Sequence, residues 1–385
     1  MQQQHRAIVH MDLDTFFVSC ERLADSRLIG KPILIGGTSD RGVVASCSYE
    51  ARQFGIHSAM PMKLAIRRCP EAIVISGNSE TYSKYSRMIT DIVKEAAPVY
   101  EKSSIDEFYI DLSGMDKFFG CLQYAKELRE RIIRESGLPI SFGLSENKTV
   151  SKIATGEAKP NNAINVDYGT ERHFLAPLSI RKIPSVGLKT YQTFCGLGVK
   201  KIQTLQEMPV ELLEQVFGKM GRSIWKKAYG IDHSPVIQYN EKKSISAEHT
   251  FEQDSIDVHQ MRALLCAMGE KLTYKLRTRN KVTACVTVKI RYSDFQTKTL
   301  QRKIHYTAAD HEIIPLIVAL FDQLYQRRVM IRLVGVRLSH LVQGGQQISL
   351  FTDDSKYSNL YQAMDKIRNR FGKQSVMYAR SSWNK

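Results

Sequence analysis

Two short apolar segments each carry carboxylates in their interior, and this pattern constrains the fold more than any other feature of the chain. Asp12 lies in the segment 8–13, and Asp106 and Glu107 lie in the segment 104–112. Burying an ionised carboxylate among apolar side chains is unfavourable unless the carboxylate is paired or binds a cation. If the two segments pair as strands, three carboxylates meet at one sheet edge, where a cation would keep them ionised near neutral pH.

These three carboxylates are hard oxygen ligands, which select Mg²⁺ or Mn²⁺. Two such ions about 3.5–4 Å apart stabilise the attacking and leaving oxygens of phosphoryl transfer. Spacing alone leaves a second interpretation open, in which the acids lie at strand ends and face solvent. Asp14 and Asp111 are expected to lie outside the set of direct metal ligands.

The chain is strongly basic, with a formal net charge of +16 over 385 residues. Such an excess indicates an anionic partner, and nucleic acid is favoured because each neutralised phosphate releases a counterion. An anionic membrane is the alternative, but no apolar run approaches the roughly 20 residues that a span requires. The N-terminal residues form no apolar signal segment, and the seven dispersed cysteines are typical of reduced intracellular thiols. We therefore expect a cytoplasmic, nucleoid-associated protein that makes no use of a membrane.

The pattern of elements changes twice along the chain. Strands and helices alternate to about residue 166, which is typical of an α/β or α+β core, and Ser145 is expected to cap a helix that ends near Ala158. In 167–235, short helices are separated by Gly and Pro, and 183–199 resembles a helix-hairpin-helix that presents backbone N–H groups to a phosphate. A small helical domain with ordinary turns is the alternative. From residue 242 onward, period-two strands and flanking helices predict a separate α+β domain.

The segment 271–303 carries ten Lys and Arg residues and only one acid, Asp294. A solvated face would mix the two signs of charge. One-sided charge on a pair of strands suits a sheet that lies along a phosphate backbone. The residues expected to contact DNA are Lys289, Arg291, Lys298 and Arg302.

Four segments, taken together, resemble the motifs of Y-family DNA polymerases. In chain order they are HMDLDTFF from His10, VASCSYEAR from Val44, SIDE from Ser104, and GLSENK from Gly143 with the KIA and KPN that follow it. Their order and spacing agree with the family over roughly residues 8–345. The bacterial DNA polymerase IV subgroup is the most similar, and the polymerase V catalytic subunit is the nearest alternative.

This resemblance implies an α+β multidomain fold, the right-hand polymerase with palm, small fingers, helical thumb and little-finger domain. The implied domains are the palm (1–22 and 77–166), the fingers (23–76), the thumb with its helix-hairpin-helix-like segment (167–235), the little finger (242–342), and a clamp-binding motif with a C-terminal tail (343–385).

The resemblance also implies roles around the reacting groups. Asp12 and Asp106 would bridge two metal ions, and Glu107 would hold the ion that activates the primer 3′-hydroxyl. The carbonyl of Leu13 would complete the site of the nucleotide-side ion. The implied nucleotide-binding residues are Tyr49, Arg52 and Lys159 for the triphosphate, Ser46 for a further hydroxyl contact, and Phe16 and Phe17 below the sugar.

Phe17 would be the steric gate, whose ring leaves no room for a ribose 2′-hydroxyl. Ordinary core packing is the alternative for a phenylalanine. The short fingers of the family would enclose the nascent pair poorly, which explains low fidelity and tolerance of damaged templates.

The implied function is template-directed, low-fidelity DNA synthesis for lesion bypass, by two-metal nucleotidyl transfer from a dNTP to the primer 3′-hydroxyl without proofreading. Two Mg²⁺ ions are the expected cofactors, with Mn²⁺ able to substitute. The expected partners are primer–template DNA and dNTP, bound by a monomer. Three alternatives stay open: a polymerase V-like catalytic subunit, a non-catalytic DNA- or clamp-binding relative, and another two-metal enzyme such as a nuclease or a nucleotide cyclase.

Near the C-terminus, Gln347, Leu350 and Phe351 resemble the peptide that docks bacterial polymerases onto the sliding clamp of the replicase. An incidental loop segment is the alternative. In many relatives this motif closes the chain, whereas here 34 residues follow Phe351, including a helix-like stretch over 357–370. The tail is expected to cover the peptide or to bind something else.

Overall fold

The computed structural model describes residues 5–115, 120–238, 241–344 and 355–381. The chain divides into two compact units, unit 1 (Met1–Asn240) and unit 2 (Glu241–Lys385). None of the helices in the described ranges is long and apolar enough to span a membrane.

Unit 1 contains two sheets and most of the helices. Its strands are β1 (Ile8–Leu13), β2 (Ile33–Gly36), β3 (Val44–Cys47), β4 (Ile73–Ile75), β5 (Val99–Lys102), β6 (Glu107–Asp111), β7 (Ile140–Ser145) and β8 (Ala163–Asn165). Its helices are α1 (Phe16–Ala24), α2 (Tyr49–Gln53), α3 (Met62–Arg68), α4 (Ser79–Ala96), α5 (Cys121–Ser136), α6 (Lys148–Ala158), α7 (Glu171–Leu175), α8 (Leu188–Gly196), α9 (Ile202–Glu207), α10 (Val210–Phe217) and α11 (Lys219–Ala228).

The larger sheet of unit 1, which we call the five-stranded sheet, has the strand order β5-β6-β1-β7-β8. β1 is antiparallel to both β6 and β7, and the two acid-bearing segments therefore pair as expected. Alternation along β1 sends Val9, Met11 and Leu13 into the main apolar core, which α1, α4 and α5 complete. His10 and Asp12 consequently lie on the other face, beside α6.

Two details of this sheet differ from the sequence expectation. β6 begins at Glu107, and Asp106 lies just before the strand. Asn147, rather than Ser145, caps α6: its side chain accepts a hydrogen bond from the backbone N–H of Val150 at 3.0 Å. Ser145 cannot cap the helix because it is still the last residue of β7 and donates its hydroxyl to the Asn147 carbonyl. A cap must immediately precede the first helical residue.

Besides the main core, unit 1 contains two larger apolar clusters and a small one formed by Ile8, Tyr109 and Val236. The smaller sheet, in the order β3-β2-β4, packs against α2 and α3 around Leu34, Val44 and Met62. The helices from α7 to α11 surround a third cluster that also takes in Val150 and Ile153 of α6. In the hairpin-like segment, Ser185 has a φ of 83°, a left-handed conformation that favours glycine.

Unit 2 is a four-stranded antiparallel sheet with helices on one face. Its elements are β9 (Ser244–Ser255), α12 (Val258–Arg277), β10 (Lys281–Tyr292), β11 (Thr297–Thr307), α13 (Asp310–Leu324), β12 (Ile331–Gln343) and α14 (Ser355–Phe371). The strand order is β11-β10-β12-β9. Side chains such as Val286, Val288 and Ile290 of β10 face the core that α12 and α13 cover.

The C-terminal helix α14 spans the stretch for which the sequence predicted a helix. It lies against α12 and the start of α13 through polar contacts. Arg277 of α12 donates to the Asp365 carboxylate at 2.7 Å, and the buried Arg368 donates to Glu270 at 3.0 Å. The helix α14 is therefore packed on the helical layer of unit 2.

Candidate active site

The structure brings the three predicted carboxylates to one end of two neighbouring strands. The register pairs Asp12 of β1 with Glu107 of β6. The backbone N–H of Leu13 donates to the carbonyl of Asp106 at 3.1 Å. The predicted ligand set of Asp12, Leu13, Asp106 and Glu107 is thus assembled by strand pairing between residues almost 100 positions apart in sequence.

Each of these acids has a polar partner in the structure. Lys159 Nζ lies 2.5 Å from Asp12 Oδ1, and Lys152 Nζ lies 2.7 Å from Glu107 Oε1. The hydroxyl of Ser104 donates to the carboxylate of Asp106. Lys159 was expected to bind nucleotide, whereas Lys152, on α6 and facing β1, was given no role from sequence. Both lysines neutralise charge where the acids converge.

The surroundings shift the pKa values of Asp12 and Glu107 in opposite directions. Burial raises the pKa of Asp12 to about 6; Lys159 opposes this shift, and the neighbouring Glu107 and Asp106 add to it. The pKa of Glu107 is lowered to about 2 by His10 and by the ion pair with Lys152. Since His10 Nε2 lies 3.9 Å from Glu107, beyond hydrogen-bonding distance, the lysine makes the closer contact. Glu107 is therefore ionised at neutral pH.

The donor set fits a divalent cation, although the side chains are not preassembled around one. Among the described residues, no group of three His, Cys, Asp or Glu side chains is arranged to hold a metal ion. The carboxylate oxygens of the site instead face lysine ammonium groups. A hard cation would relieve the burial and like-charge repulsion that raise the pKa of Asp12.

His10 is a further residue of this site that sequence reasoning did not single out. Its side chain is 1% exposed, and its Nδ1 lies 2.9 Å from Thr155 Oγ1. Burial lowers its pKa to about 4, so the imidazole is neutral at physiological pH. The sequence could have indicated that His10 belongs to this site, because it stands two residues before Asp12 and therefore lies on the same face of β1.

The predicted triphosphate-binding residues lie at the start of α2 and after α6. Ser48 caps α2, which begins at Tyr49, so Tyr49 and Arg52 share one turn of this helix. The guanidinium of Arg52 lies 5.0 Å from the centre of the Tyr49 ring. Burial and the nearby Asp14 raise the pKa of Tyr49 above its usual range. Ser46 lies in the adjoining strand β3, opposite Ile35.

Phe16 and Phe17 begin α1 directly after the acid-bearing strand. Phe16 is buried in the main core, whereas Phe17 is partly buried and stacks on Tyr82 with ring centres 4.3 Å apart. The hydroxyl of Tyr82 is in turn held by Glu21. The ring of Phe17 is thus braced at the edge of the core, in the first turn of the helix that follows the strand carrying Asp12.

The four basic residues predicted to contact DNA divide between two faces of the sheet in unit 2. Lys289 and Arg291 pair across the strands with Thr299 and Thr297, and lie on the face opposite the helices. Lys298 and Arg302 pair with Ile290 and Val286, on the helix-covered side of the edge strand. The sequence could have indicated this division. Leu300 and Ile304 stand an even number of positions from Lys298 and Arg302, so all four side chains lie on one face of the strand. Leu300 and Ile304 pack on the core on that face.

We call the face of this sheet opposite the helices the open face; its basic residues include Lys289, Arg291 and Arg337. Lys289 pairs with Glu248 at 2.9 Å, and Arg291 donates to Thr297 Oγ1. The predicted clamp-binding residues Gln347, Leu350 and Phe351 lie outside the described residues.

Comparison with protein-family models identifies two matching regions. The impB/mucB/samB family model matches residues 11–156, and the model of the C-terminal domain of the same family matches residues 242–350. The tail beyond residue 350 lies outside both models.

The chain is also similar to curated proteins over nearly its full length. It is 38% identical over 380 residues to a DNA polymerase IV of Dehalococcoides mccartyi, a match that covers 98% of this chain and 97% of that protein. It is 35% identical over 344 residues to the DNA polymerase IV of Clostridium perfringens, which covers 88% of this chain and 95% of that protein.

Among solved structures, the fold is similar to that of a Y-family DNA polymerase chimera, Dbh-Dpo4(243-245)-Dbh. The TM-score is 0.80 at 24% identity, and the match covers 88% of this chain and all of the other. An insertion ternary complex of Dbh DNA polymerase matches with a TM-score of 0.64 at 24% identity.

Proposed function

The chain belongs to the impB/mucB/samB family, and we infer from this that it is a DNA-directed DNA polymerase of the low-fidelity, lesion-bypass kind. The observation that carries the inference is the meeting of Asp12, Asp106 and Glu107 at one strand end, in a chain matched along its length by proteins named DNA polymerase IV. A non-catalytic relative would have no use for three partly buried acids at one strand end. The names of the Dehalococcoides and Clostridium relatives favour the polymerase IV subgroup over a polymerase V-like subunit.

The reaction is attack of the primer 3′-hydroxyl on the α-phosphate of a dNTP. A bond forms between the 3′-oxygen and phosphorus, and pyrophosphate leaves. Polymerases of this family use divalent metal ions, which stabilise charge on the attacking and leaving oxygens. We assign Asp12, Asp106, Glu107 and the Leu13 carbonyl to hold two Mg²⁺ ions, with Mn²⁺ as a substitute, because these are hard oxygen donors.

The cationic side chains bind and orient the nucleotide. Arg52 offers a bidentate fork to phosphate oxygens, and Lys159 offers a point charge. Tyr49 and Ser46 add hydroxyl groups from the same region of the chain. Phe16 and Phe17 lie below the sugar, and Phe17 excludes a 2′-hydroxyl. The bracing of Phe17 by Tyr82 supports this role, because a gate must resist displacement.

The domain assignment is part of the same proposal. Residues 1–22 and 77–166 form the palm, 23–76 the fingers and 167–235 the thumb, and each part supplies most of the residues of one apolar cluster in unit 1. Residues 242–342 form the little finger, whose basic open face binds duplex DNA. Residues 343–385 contribute the clamp-binding motif and the tail. The enzyme acts as a cytoplasmic, nucleoid-associated monomer, and the sliding clamp raises its processivity.

Primer extension tests the proposal. Wild-type protein and Asp106→Asn are compared on undamaged and abasic templates with Mg²⁺ and dNTPs. We expect short, distributive extension across both templates by the wild type, and no extension by Asp106→Asn with DNA binding intact.

Other outcomes would assign a different function. DNA binding without extension by the wild type would indicate a non-catalytic relative. Release of nucleotides from DNA without added dNTP would indicate a nuclease. Equal extension by both proteins would show that the activity does not depend on the Asp106 carboxylate and would remove the assigned metal site.

A further inference from the structure

Asp14 is a buried acid that belongs to neither the proposed metal ligands nor the triphosphate contacts, yet it touches elements that carry both. Its side chain is 1% exposed. Its carboxylate accepts hydrogen bonds from Ser141 Oγ at 2.8 Å, from the Asn161 backbone N–H at 2.6 Å and from the Tyr49 hydroxyl at 3.3 Å. These partners come from β7, from the segment after α6, and from the start of α2.

Ser141 Oγ lies within hydrogen-bonding distance of both carboxylate oxygens of Asp14, at 3.1 Å from Oδ1 and 2.8 Å from Oδ2, but their other partners differ. Oδ2 accepts from the Asn161 backbone N–H and is the oxygen nearer to Ser141 Oγ; Ser141 lies in β7 of the five-stranded sheet, and Asn161 lies just before β8. Oδ1 accepts from the Tyr49 hydroxyl and lies 3.8 Å from Lys159 Nζ. Oδ2 therefore binds the residues around the five-stranded sheet, and Oδ1 faces Tyr49 and Lys159, the two side chains assigned to the triphosphate.

The Asn161 contact also orients Lys159 through the backbone. Asn161 has a φ of 47°, a conformation that costs free energy for a residue with a side chain, and the short hydrogen bond to Asp14 holds it there. Lys159, two residues earlier, points its ammonium group at the oxygens of both Asp12 and Asp14. Asp14 thus contacts the backbone two residues after Lys159 and also lies near the charged end of its side chain.

We propose that Asp14 is a positioning residue that sets Tyr49 and Lys159 for the triphosphate of the incoming nucleotide. The proposal rests on the function assigned above and adds to it a residue that touches neither metal nor nucleotide. If Asp14 served only to stabilise the fold, the hydrogen bonds from Ser141 and Asn161 would be enough for its carboxylate. The contact with Tyr49 goes further, because it ties the helix that carries Tyr49 and Arg52 to the end of the acid-bearing strand.

Asp14→Asn separates these two functions of the carboxylate. The amide oxygen can keep the Asn161 and Ser141 contacts, while the amide nitrogen replaces the oxygen that faces Tyr49 and Lys159. The negative charge near Lys159 is lost. Ser19→Ala is the matched control, since Ser19 Oγ donates to the backbone carbonyl of Asp14 and pairs with the Thr15 hydroxyl, and neither contact involves the Asp14 carboxylate.

The measurement is the dissociation constant of the correct dNTP on primer–template DNA whose primer ends in a dideoxynucleotide, with Ca²⁺ so that no turnover occurs. We expect Asp14→Asn to weaken dNTP binding by about tenfold, the loss typical of a hydrogen bond to a charged group. Primer–template affinity and the melting temperature should match those of Ser19→Ala.

Tyr49→Phe removes only the hydroxyl that Asp14 holds, and it completes a double-mutant cycle. We expect Tyr49→Phe to weaken dNTP binding, and the double variant to be no weaker than Asp14→Asn alone, because both changes remove the hydrogen bond that the Tyr49 hydroxyl donates to the Asp14 carboxylate. Wild-type dNTP affinity in either single variant, or strictly additive losses, would overturn the proposal. If the wild type itself bound no dNTP, the proposed function would fail instead.

Discussion

The five-stranded sheet of unit 1 has helices on both faces, whereas the sheet of unit 2 has helices on one face, and the two sheets treat charge in opposite ways. At the end of β1, the acids are mostly shielded from solvent, and each has a close polar partner. On the sheet of unit 2, Arg291 and Arg337 lie on an open face, and Lys289 there pairs with an exposed Glu248.

The difference in solvent exposure predicts that the charges of the two sheets act over different distances. Shielded charges interact strongly over short distances, so one substitution among the acids should have a large effect. Exposed charges are screened by salt beyond about 8–10 Å and act on a ligand as a sum. Single substitutions on the open face should therefore have small effects, and their signature should be a change in salt dependence.

The largest effect is expected for Asp12→Asn. Removing an assigned metal ligand should reduce single-turnover nucleotide addition by about 10³-fold or more, a loss on the scale of one preorganised electrostatic contact. Rapid-quench measurement of one dNTP addition checks this, with Ser19→Ala as a buried control nearby. A decrease in this rate of less than tenfold would mean that Asp12 behaves like an exposed charge. The predicted difference between shielded charges in unit 1 and exposed charges in unit 2 would then be wrong.

The same substitution should stabilise the metal-free protein. Because the pKa of Asp12 is raised to about 6 in the folded state, the protonated form is favoured there. The protonated Asp12 carboxyl therefore contributes to the free energy of unfolding at low pH, and this contribution is lost as the pH rises from about 4 to about 6. In EDTA at pH 7, Asp12→Asn should therefore unfold with a free energy greater by about 1–2 kcal/mol. Denaturant unfolding at pH 4 and pH 7 checks the sign, and no change with pH would contradict it.

The next effect concerns the buried charges of unit 2, which lie on its helical side. Arg368→Ala should destabilise unit 2 by about 3–5 kcal/mol, because it leaves Glu270 buried without its ion partner. Arg370→Ala, on the exposed side of the same helix, should change stability by less than about 0.5 kcal/mol. Calorimetry of the full chain would resolve the transition of unit 2. Equal shifts for both variants would show that α14 is only loosely attached.

A smaller effect is expected at Phe17. Phe17→Ala should lower discrimination against ribonucleotides by about 10–200-fold while DNA synthesis continues, since shape selection by one apolar contact has this range. Single-nucleotide addition with dCTP and with CTP measures the ratio. Tyr82→Phe is the control: it keeps the stacking ring and loses only the hydroxyl bonded to Glu21. Unchanged sugar selectivity in Phe17→Ala would leave Phe17 as a core residue.

The sequence predicted the features that follow from periodicity and from the difficulty of burying charge. The acid-bearing strands, the basic strand pair and the helix after residue 355 are all present. It did not predict the partners of those charges. Asp14 and Ser141 are 127 positions apart, and no local pattern indicates that they meet. The cap of α6 was misplaced because Ser145 and Asn147 are both good capping residues, and the length of β7 decides between them.

The smallest effect, and the one that tests the open face itself, is expected from two variants that remove equal charge. Lys289→Gln with Arg291→Gln removes two cations from the open face, and Lys298→Gln with Arg302→Gln removes two from the helix-covered side. Each phosphate contact adds about 0.9 to the slope of log affinity against log salt. We expect the first pair to lower that slope by about 2 and the second pair to change it little. Fluorescence anisotropy with duplex DNA over a salt series measures both.

The ion pair between Lys289 and Glu248 sharpens this test. Loss of Lys289 leaves an unpaired carboxylate on the open face, which would repel phosphates and weaken binding beyond the loss of one contact. Adding Glu248→Gln to the open-face variant should therefore recover part of the affinity without restoring the slope. Equal slopes for the two paired variants would mean that DNA does not distinguish the faces, and that the sheet of unit 2 attracts DNA only through its total charge.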